Sequence, residues 1–367
     1  ESVFIMKTER KSMNKFDYME KHGFEQLVYF YDKTTGLKGI TCIHDTTLGP
    51  ALGGTRLWNY KNEDEATLDV MRLARGMTLK SAAAGLNLGG GKTVLIGDAE
   101  TCKSEAYFRA LGRFVQSLNG RYITAEDVNT TTRDMEYVNM ETDYVVGLEG
   151  KSGNPSPFTA LGAFYGIKAA LYYRFGTDDV TKFSFAVQGA GQTGYYLIKY
   201  LLEHKAKKIY FSEINPKHIE RMNREHPEVE FVDPDGIYNL DIDVFSPCAL
   251  GAVLNDETIP KLKAKVIAGT ANNQLLDEVK HGEAVKSRGI LYAPDFVINA
   301  GGVINVHHEI RGYNRDNVIR DVKKIYDRLL EIFKISDKEG IATQQAAKIF
   351  AMKRIETIGR IRSNFIP

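Results

Sequence analysis

Lys80 and Lys92 lie twelve positions apart in MTLKSAAAGLNLGGGKTVLIGD, and the second follows directly on Gly89, Gly90 and Gly91. Two lysines lining one cleft depress each other's ammonium pKa by like-charge repulsion, and burial adds to the effect, so one could act as a base near neutral pH. The spacing alone favours two solvated surface lysines. Further on, GRYITAEDVNTT ends a β-rich run with Glu126 and Asp127 before a threonine-rich turn. A carboxylate there either shuttles protons or caps a helix N-terminus. In AGTANNQL the amides of Asn272 and Asn273 could bond a carboxylate or carboxamide, or simply form a turn.

Two apparent sites fail on spacing. A phosphate-binding GxxxxGK[ST] loop ending at Gly91 needs glycine at position 86, where the chain has Leu86. His307, His308 and Glu309 lack the HExxH order that puts two imidazoles on one helical face, so no metal site is expected. The remaining strong signal is FAVQGAGQTGYYLIKYLLEH. A β-rich run leads into Gly189, Gly191 and Gly194 at GxGxxG spacing and then into a helical pattern, and Glu213 ends the next predicted strand. Glycines let the backbone approach a pyrophosphate, a helix N-terminus offers free N–H donors, and the acid bonds a ribose 2′-hydroxyl while repelling a 2′-phosphate. This pattern favours NAD over NADP. The alternative is a glycine turn that binds nothing.

These residues require particular elements to hold them. GLKGITCIHD suits a strand, residues 63–79 place Leu68, Met71, Ala74 and Met77 near helical spacing behind an acidic start, and Tyr107, Leu111, Phe114, Val115 and Leu118 define a helix face closed by Gly120. EGKSGNPSP reads as a connecting segment. Beyond it, short β-rich runs at 183–188, 208–213, 229–232, 243–246, 265–268 and 290–292 alternate with helical stretches, which predicts a parallel sheet wound by crossover helices. SPCALG, AGTANNQL and YAPDFVINAGGVINV each follow one of these strands, where such folds bind ligands. A long helical tail spans about 317–363. The fold class expected is α/β in two domains: an N-terminal α/β substrate domain (1–148 plus 335–367) and a Rossmann-type doubly wound domain (149–334), with a cleft between them.

The 367 residues give two domains room for proper cores. The net charge of +1 gives no nucleic-acid stripe or acidic tail, and no apolar segment is long enough for a membrane span or signal peptide. Cys42, Cys102 and Cys248 are odd in number and far apart, which points to buried thiols in a reducing compartment and a cytoplasmic enzyme. Residues 1 to about 12 read as a processing remnant or appended segment and are left out of the fold.

Seven blocks, TLGPALGGTRLW, MTLKSAAAGLNLGGGKTVLIGD, SLNGRYITAEDV, SGNPSPFTALG, PCALGAVLNDETIP, AGTANNQL and YAPDFVINAGGVINV, occur in order between about Met13 and Phe365. Together they resemble the amino-acid dehydrogenases that act on leucine, valine and phenylalanine, most closely the leucine-specific members. The resemblance implies that Lys80 binds the substrate α-carboxylate, Lys92 activates water or the substrate amine, and Asp127 transfers protons. It also implies a side-chain pocket of Leu52, Gly53, Gly54, Met77, Ala125, Val303 and Val306, with Asn272 or Asn273 near the carboxylate. On the cofactor side it implies Arg56, Thr159, Gly189, Gly191, Gln192, Thr193, Gly194, Glu213, Ala249 and Leu250.

The reaction so implied is reversible NAD-dependent oxidative deamination of branched-chain L-amino acids to 2-oxo acids and ammonia, in a homo-oligomer, by resemblance an octamer. An apolar pocket argues against a glutamate enzyme. Phenylalanine-preferring relatives tend to carry glycine at the Ala125 position and a bulkier residue near Val303, which puts this chain on the leucine side. Asn129 replaces a glycine usual in leucine enzymes and found as asparagine in relatives for larger substrates. Gln192 and Thr193 replace the usual Asn and Val of the glycine loop, and His307 and His308 are also unusual. The alternatives are an aromatic amino-acid dehydrogenase and a catalytically silent NAD-binding regulator, which would need none of Lys80, Lys92 and Asp127.

Overall fold

The computed structural model describes residues 14–310 and 312–362, so the expectation for residues 1–12 lies outside the described residues. The chain divides into two compact units, residues 14–78 with 89–145, and 79–88 with 146–362. The first is built on a mixed sheet. Its strands are β1 (Gln26–Tyr31), β2 (Lys38–Asp45), β3 (Ala51–Leu52), β4 (Thr55–Trp58), β5 (Gly89–Ile96) and β6 (Tyr122–Ile123), in the order β1-β2-β5-β3-β6 with β4 also pairing β5. β1, β2 and β5 are antiparallel, while β3 and β4 run parallel to β5. The helix Glu63–Ala83 begins with Glu63, Asp64 and Glu65, which complement its N-terminal dipole. It lays Ala66, Val70, Met71 and Ala74 on Ile40, Cys42 and Val94 of the sheet.

The helix Glu105–Ser117 starts on Ser104, whose hydroxyl accepts from the Tyr107 amide at 3.2 Å. Its capping residue at the other end is Leu118 rather than Gly120. Asn119 and Gly120 both take positive φ (49° and 80°) in the turn that follows, so the glycine serves the turn into β6.

All six strands expected in the second half are present, five of them slightly shorter and one, β10, shifted by a residue: β7 (Ser184–Gln188), β8 (Lys208–Ser212), β9 (Glu230–Phe231), β10 (Val244–Pro247), β11 (Val266–Ile267) and β12 (Leu291–Tyr292). Every neighbouring pair is parallel, in the order β12-β11-β10-β7-β8-β9. The winding therefore reverses between β7 and β10, the Rossmann arrangement. Crossover helices Gln192–Glu203, Pro216–Glu225 and Lys280–Ser287 join β7 to β8, β8 to β9 and β11 to β12. Ala186, Phe245, Ile267 and Tyr292 of the sheet pack with Leu254, Leu275 and Val285 beneath.

The expected tail is three helices, Arg315–Lys323, Ile325–Glu339 and Thr343–Arg362. Residues 335–362 group with the second unit rather than with the first domain as the sequence suggests. The reason is burial. Phe333 is buried against Tyr173 of the helix Ser156–Phe175, and Thr343–Arg362 buries Ala346, Ala347 and Ala351 and sends Lys348 to Glu278. Arg354 then donates to Leu86 O at 2.7 Å and to Asn87 Oδ1 at 2.8 Å, drawing residues 79–88 into the same unit.

The three thiols are free. Burial pushes Cys42 up to about 12 and Cys248 up to about 11, whereas Cys102 is only half-buried, short of the buried thiol expected. Among the described residues no helix is long and apolar enough to cross a membrane.

Candidate functional site

β5 carries Lys92 in the middle of the first unit's sheet, opposite Cys42 of β2, where the lysine is 4% exposed. The surface-lysine reading is therefore excluded for Lys92. Its Nζ lies 2.9 Å from Asp127 Oδ1. Burial pulls the ammonium below its ordinary range; the Asp127 carboxylate opposes this and Arg56 adds to it. For Asp127, burial favours the neutral acid, but Lys92 and Arg56 outweigh it and hold the carboxyl well below the usual range. It is an anion beside a reluctant cation.

Asp127 is not a helix cap. The following helix, Thr132–Asn139, is capped by Thr131 in a reciprocal box with Asp134, and Glu126 accepts from Thr132 Oγ1 at 3.0 Å. The Asp127 amide instead donates to Thr130 Oγ1 (2.8 Å), and Thr130 Oγ1 donates to Thr55 O (2.9 Å), which pins the turn to β4. Within that turn Asn129 has φ +60° and donates to Leu57 O at 3.0 Å. Glycine and asparagine are the residues that best tolerate this backbone, which accounts for an asparagine here.

Leu52 is buried, and Gly53 and Gly54 have no room for side chains. A Cβ would stand 1.7 Å from Gly91 O at Gly53 and 2.4 Å from Glu126 O at Gly54. Ala125 is half-buried, and its carbonyl accepts from the Thr55 amide. Met77 is half-buried on the Glu63–Ala83 helix. Arg56, tied by the resemblance to a cofactor, has its guanidinium on Asp127 (3.0 Å) and Asp69 (3.2 Å).

In the second unit the three loop glycines differ in what they permit. Gly189 has φ +96°, and a Cβ on it would approach Ala249 Cβ to 2.7 Å; a Cβ on Gly194 would stand 1.9 Å from Gly189 O. At Gly191 the nearest atom to a Cβ is 3.9 Å away, so this backbone faces open space. That is the cradle a pyrophosphate requires, with Gln192 opening the next helix. Glu213 accepts from the Ala190 amide at 3.0 Å and from the amides of Ile214 and Asn215. Burial raises its carboxyl, but these N–H donors prevail and keep it low, hence anionic, at the end of β8. The residues present fit a dinucleotide. Thr193 bonds Thr270 (2.7 Å), Thr159 donates to Pro155 O (3.1 Å), and Ala249 and Leu250 are exposed beyond β10 at the point where the winding reverses.

Lys80, Asn272 and Asn299 form a second polar group in this unit. Lys80 Nζ donates to Asn272 Oδ1 at 3.0 Å, and Asn299 Nδ2 donates to the same oxygen at 2.8 Å. Asn273 instead takes φ +50° and lends its carbonyl to the Ala252 amide, so of the two asparagines it is the turn-former. Val303 and Val306 are buried on the helix Gly301–Ile310. His308 pairs with Asp321 (2.9 Å), and Glu309 accepts from the amides of Gly147 and Ser152. Among the described residues no His/Cys/Asp/Glu group could hold a metal.

Sequence reasoning missed Asp69, Tyr60, Asn299 and Arg221. Arg221 donates to Ala190 O (2.9 Å) and Gly191 O (3.1 Å), bracing the glycine loop from the helix Pro216–Glu225. Its only sequence signal is a basic residue one helix beyond Glu213. Nothing local marks Asp69 or Tyr60.

Two family models match the chain: "Glu/Leu/Phe/Val dehydrogenase, dimerisation domain" over residues 25–144, and "Glutamate/Leucine/Phenylalanine/Valine dehydrogenase" over residues 211–361. The leucine dehydrogenase of Thermoactinomyces intermedius is 54% identical over 96% of this chain and 97% of its own. The phenylalanine dehydrogenase of Caldalkalibacillus thermarum is 44% identical over 96% of each. Among solved structures, L-tryptophan dehydrogenase from Nostoc punctiforme superposes with a TM-score of 0.84 at 45% identity, covering 94% of this chain and 99% of that one.

Proposed function

The chain belongs to the Glu/Leu/Phe/Val dehydrogenase family, amino-acid dehydrogenases that oxidise CH–NH2 donors with a nicotinamide cofactor, and from this we propose that it is an NAD-dependent dehydrogenase of branched-chain L-amino acids. It deaminates leucine, valine and isoleucine reversibly to 2-oxo acids and ammonia. The observation that carries the mechanism is the buried Lys92–Asp127 pair at 2.9 Å. A lysine with a lowered pKa can take the proton from the substrate ammonium and leave a neutral amine. A nicotinamide cofactor held at the glycine loop of residues 189–194 would supply the acceptor for the hydride that leaves the α-carbon. Once Lys92 has released its proton to solvent it deprotonates the water that adds to the iminium carbon; Asp127 relays this proton to the nitrogen, and the hydroxyl proton returns to Lys92 as the carbinolamine collapses and then leaves with ammonia as ammonium. Substrate plus water plus oxidised cofactor thereby becomes 2-oxo acid, ammonium, reduced cofactor and a proton.

Lys80 holds the α-carboxylate, steadied through Asn272. The side-chain residues proposed, Leu52, Gly53, Gly54, Met77, Ala125, Val303 and Val306, include no cation, which suits an aliphatic side chain. Thr159, Gly189, Gly191, Gln192, Thr193, Gly194, Ala249 and Leu250 take the cofactor, with Glu213 selecting NAD over NADP. The leucine dehydrogenase at 54% identity stands above the phenylalanine enzyme at 44%, and this supports the aliphatic reading. A cytoplasmic homo-octamer completes the proposal.

The test is the initial rate of NADH formation with L-leucine, L-valine, L-isoleucine, L-phenylalanine, L-tryptophan and L-glutamate, repeated with NADP, alongside the native mass by light scattering. The highest kcat/KM on a branched-chain substrate with NAD is expected. Preference for an aromatic substrate would transfer the assignment to that class, and no turnover with NADH still bound would leave a silent regulator.

A further inference from the structure

We propose that Arg56 is a positioning residue for the acid–base pair, fixing the Asp127 carboxylate so that one oxygen faces Lys92 while the other is held from β4. The inference rests on the roles proposed for Lys92 and Asp127 and deepens them. The resemblance gives Arg56 to the cofactor; its bonds give it to the acid.

The carboxylate is divided between two cations. Oδ1 is 2.9 Å from Lys92 Nζ and Oδ2 is 3.0 Å from Arg56 Nε. The other edge of the guanidinium reaches Asp69 Oδ2 at 3.2 Å, and Tyr60 donates its hydroxyl to that same oxygen at 2.5 Å. A planar fork spanning two carboxylates leaves Arg56 little freedom, and so leaves Asp127 little. β4 fixes both ends of the arrangement. Thr55 holds the 127–130 turn through Thr130, and the next residue along the strand is Arg56.

The charged and titratable groups around the pair are Arg56, Asp69, Tyr60 and the buried Tyr122, whose phenol burial pushes up to about 12. Burial opposes the charge on Arg56, but Asp127 and Asp69 more than restore it, so it stays a cation. A cation on Oδ2 weakens the hold of Asp127 on the Lys92 proton and also repels that proton directly. Removing Arg56 therefore moves the deprotonation of Lys92 to higher pH. A purely structural arginine would lower turnover or stability without moving that limb.

The experiment is a pH–rate profile for leucine deamination by the full-length chain, with NADH affinity read by fluorescence, for Arg56→Gln and Arg56→Lys. Arg56→Gln is expected to shift the rising limb of kcat to higher pH by about one unit, with NADH affinity unchanged. Arg56→Lys, which keeps the charge but not the fork, should keep the limb near its wild-type position while losing about ten- to a hundred-fold in kcat through misplacement of the acid. An unmoved limb in Arg56→Gln, or a loss confined to NADH affinity, overturns the proposal. If Arg56→Gln does not fold, Arg56→Lys decides, because an unchanged kcat is then fatal. Failure of the parent reading is seen separately, since Lys92→Ala would keep its turnover whatever the Arg56 variants do.

Discussion

Lys92 is a cation in a place that disfavours one, and its neighbours decide how far it yields. Replacing it with alanine is expected to cost kcat about a hundred- to ten-thousand-fold, the usual contribution of a positioned base, while NADH still binds. Asp127→Asn removes the charge that supports the Lys92 proton, so the pKa of the lysine falls further and the rising limb of deamination moves to lower pH. Its maximum falls as well, for want of a proton carrier. This displacement is opposite in sign to that expected for Arg56→Gln, and one set of pH–rate profiles checks both. Asn129 was open to a pocket role on sequence grounds, but its φ of +60° supplies a backbone reason for it. Asn129→Gly should then leave the leucine-to-phenylalanine ratio of kcat/KM unchanged and cost about 1 kcal/mol or less, as the bond to Leu57 O is lost; a changed ratio would return it to the pocket. Lys92 and Asp127 were legible because each lies in a distinctive local block. Asp69 was not, since it is one more acid on a helix and gains its meaning from Arg56, 13 positions away.

Elements carry the next level of information, and glycine spacing was the most readable part of it. GxGxxG between a β-run and a helical run predicts a strand–loop–helix, and β7 with Gln192–Glu203 supplies it. Gly194→Ala would drive a methyl to 1.9 Å from Gly189 O and force strand and helix apart, so NADH affinity should fall at least about ten-fold, measured by fluorescence titration. A cap is a milder case. Ser104→Ala removes the acceptor for the Tyr107 amide and should cost about 1 kcal/mol, seen as a lowered midpoint in denaturant with an unchanged slope. The misplaced cap at Gly120 shows where local reading fails. Glycine after a helix signals a left-handed residue, but whether that residue caps the helix or turns the chain toward the next strand depends on where β6 lies.

At the scale of the whole molecule, each unit has its own core, and Phe333 is among the largest fully buried side chains of the second. Phe333→Ala should cost about 3–5 kcal/mol and lower the calorimetric transition of that unit; an unaltered thermogram would contradict the packing described. The sequence by itself determined the α/β class, the six parallel strands, the glycine loop with its following acid, and the blocks that hold Lys92 and Asp127. The first three rest on periodicity and spacing within about thirty residues, where chain geometry leaves few choices, and the last on the resemblance of those blocks to a family. Only the tertiary structure decided that Arg56 meets Asp127 across 71 positions, that Lys80 shares an oxygen with Asn299 on Asn272, and that residues 79–88 and 335–362 pack together in one unit. These contacts close long loops of chain. Which partner a side chain finds there depends on which apolar faces are buried first, and no local pattern records that.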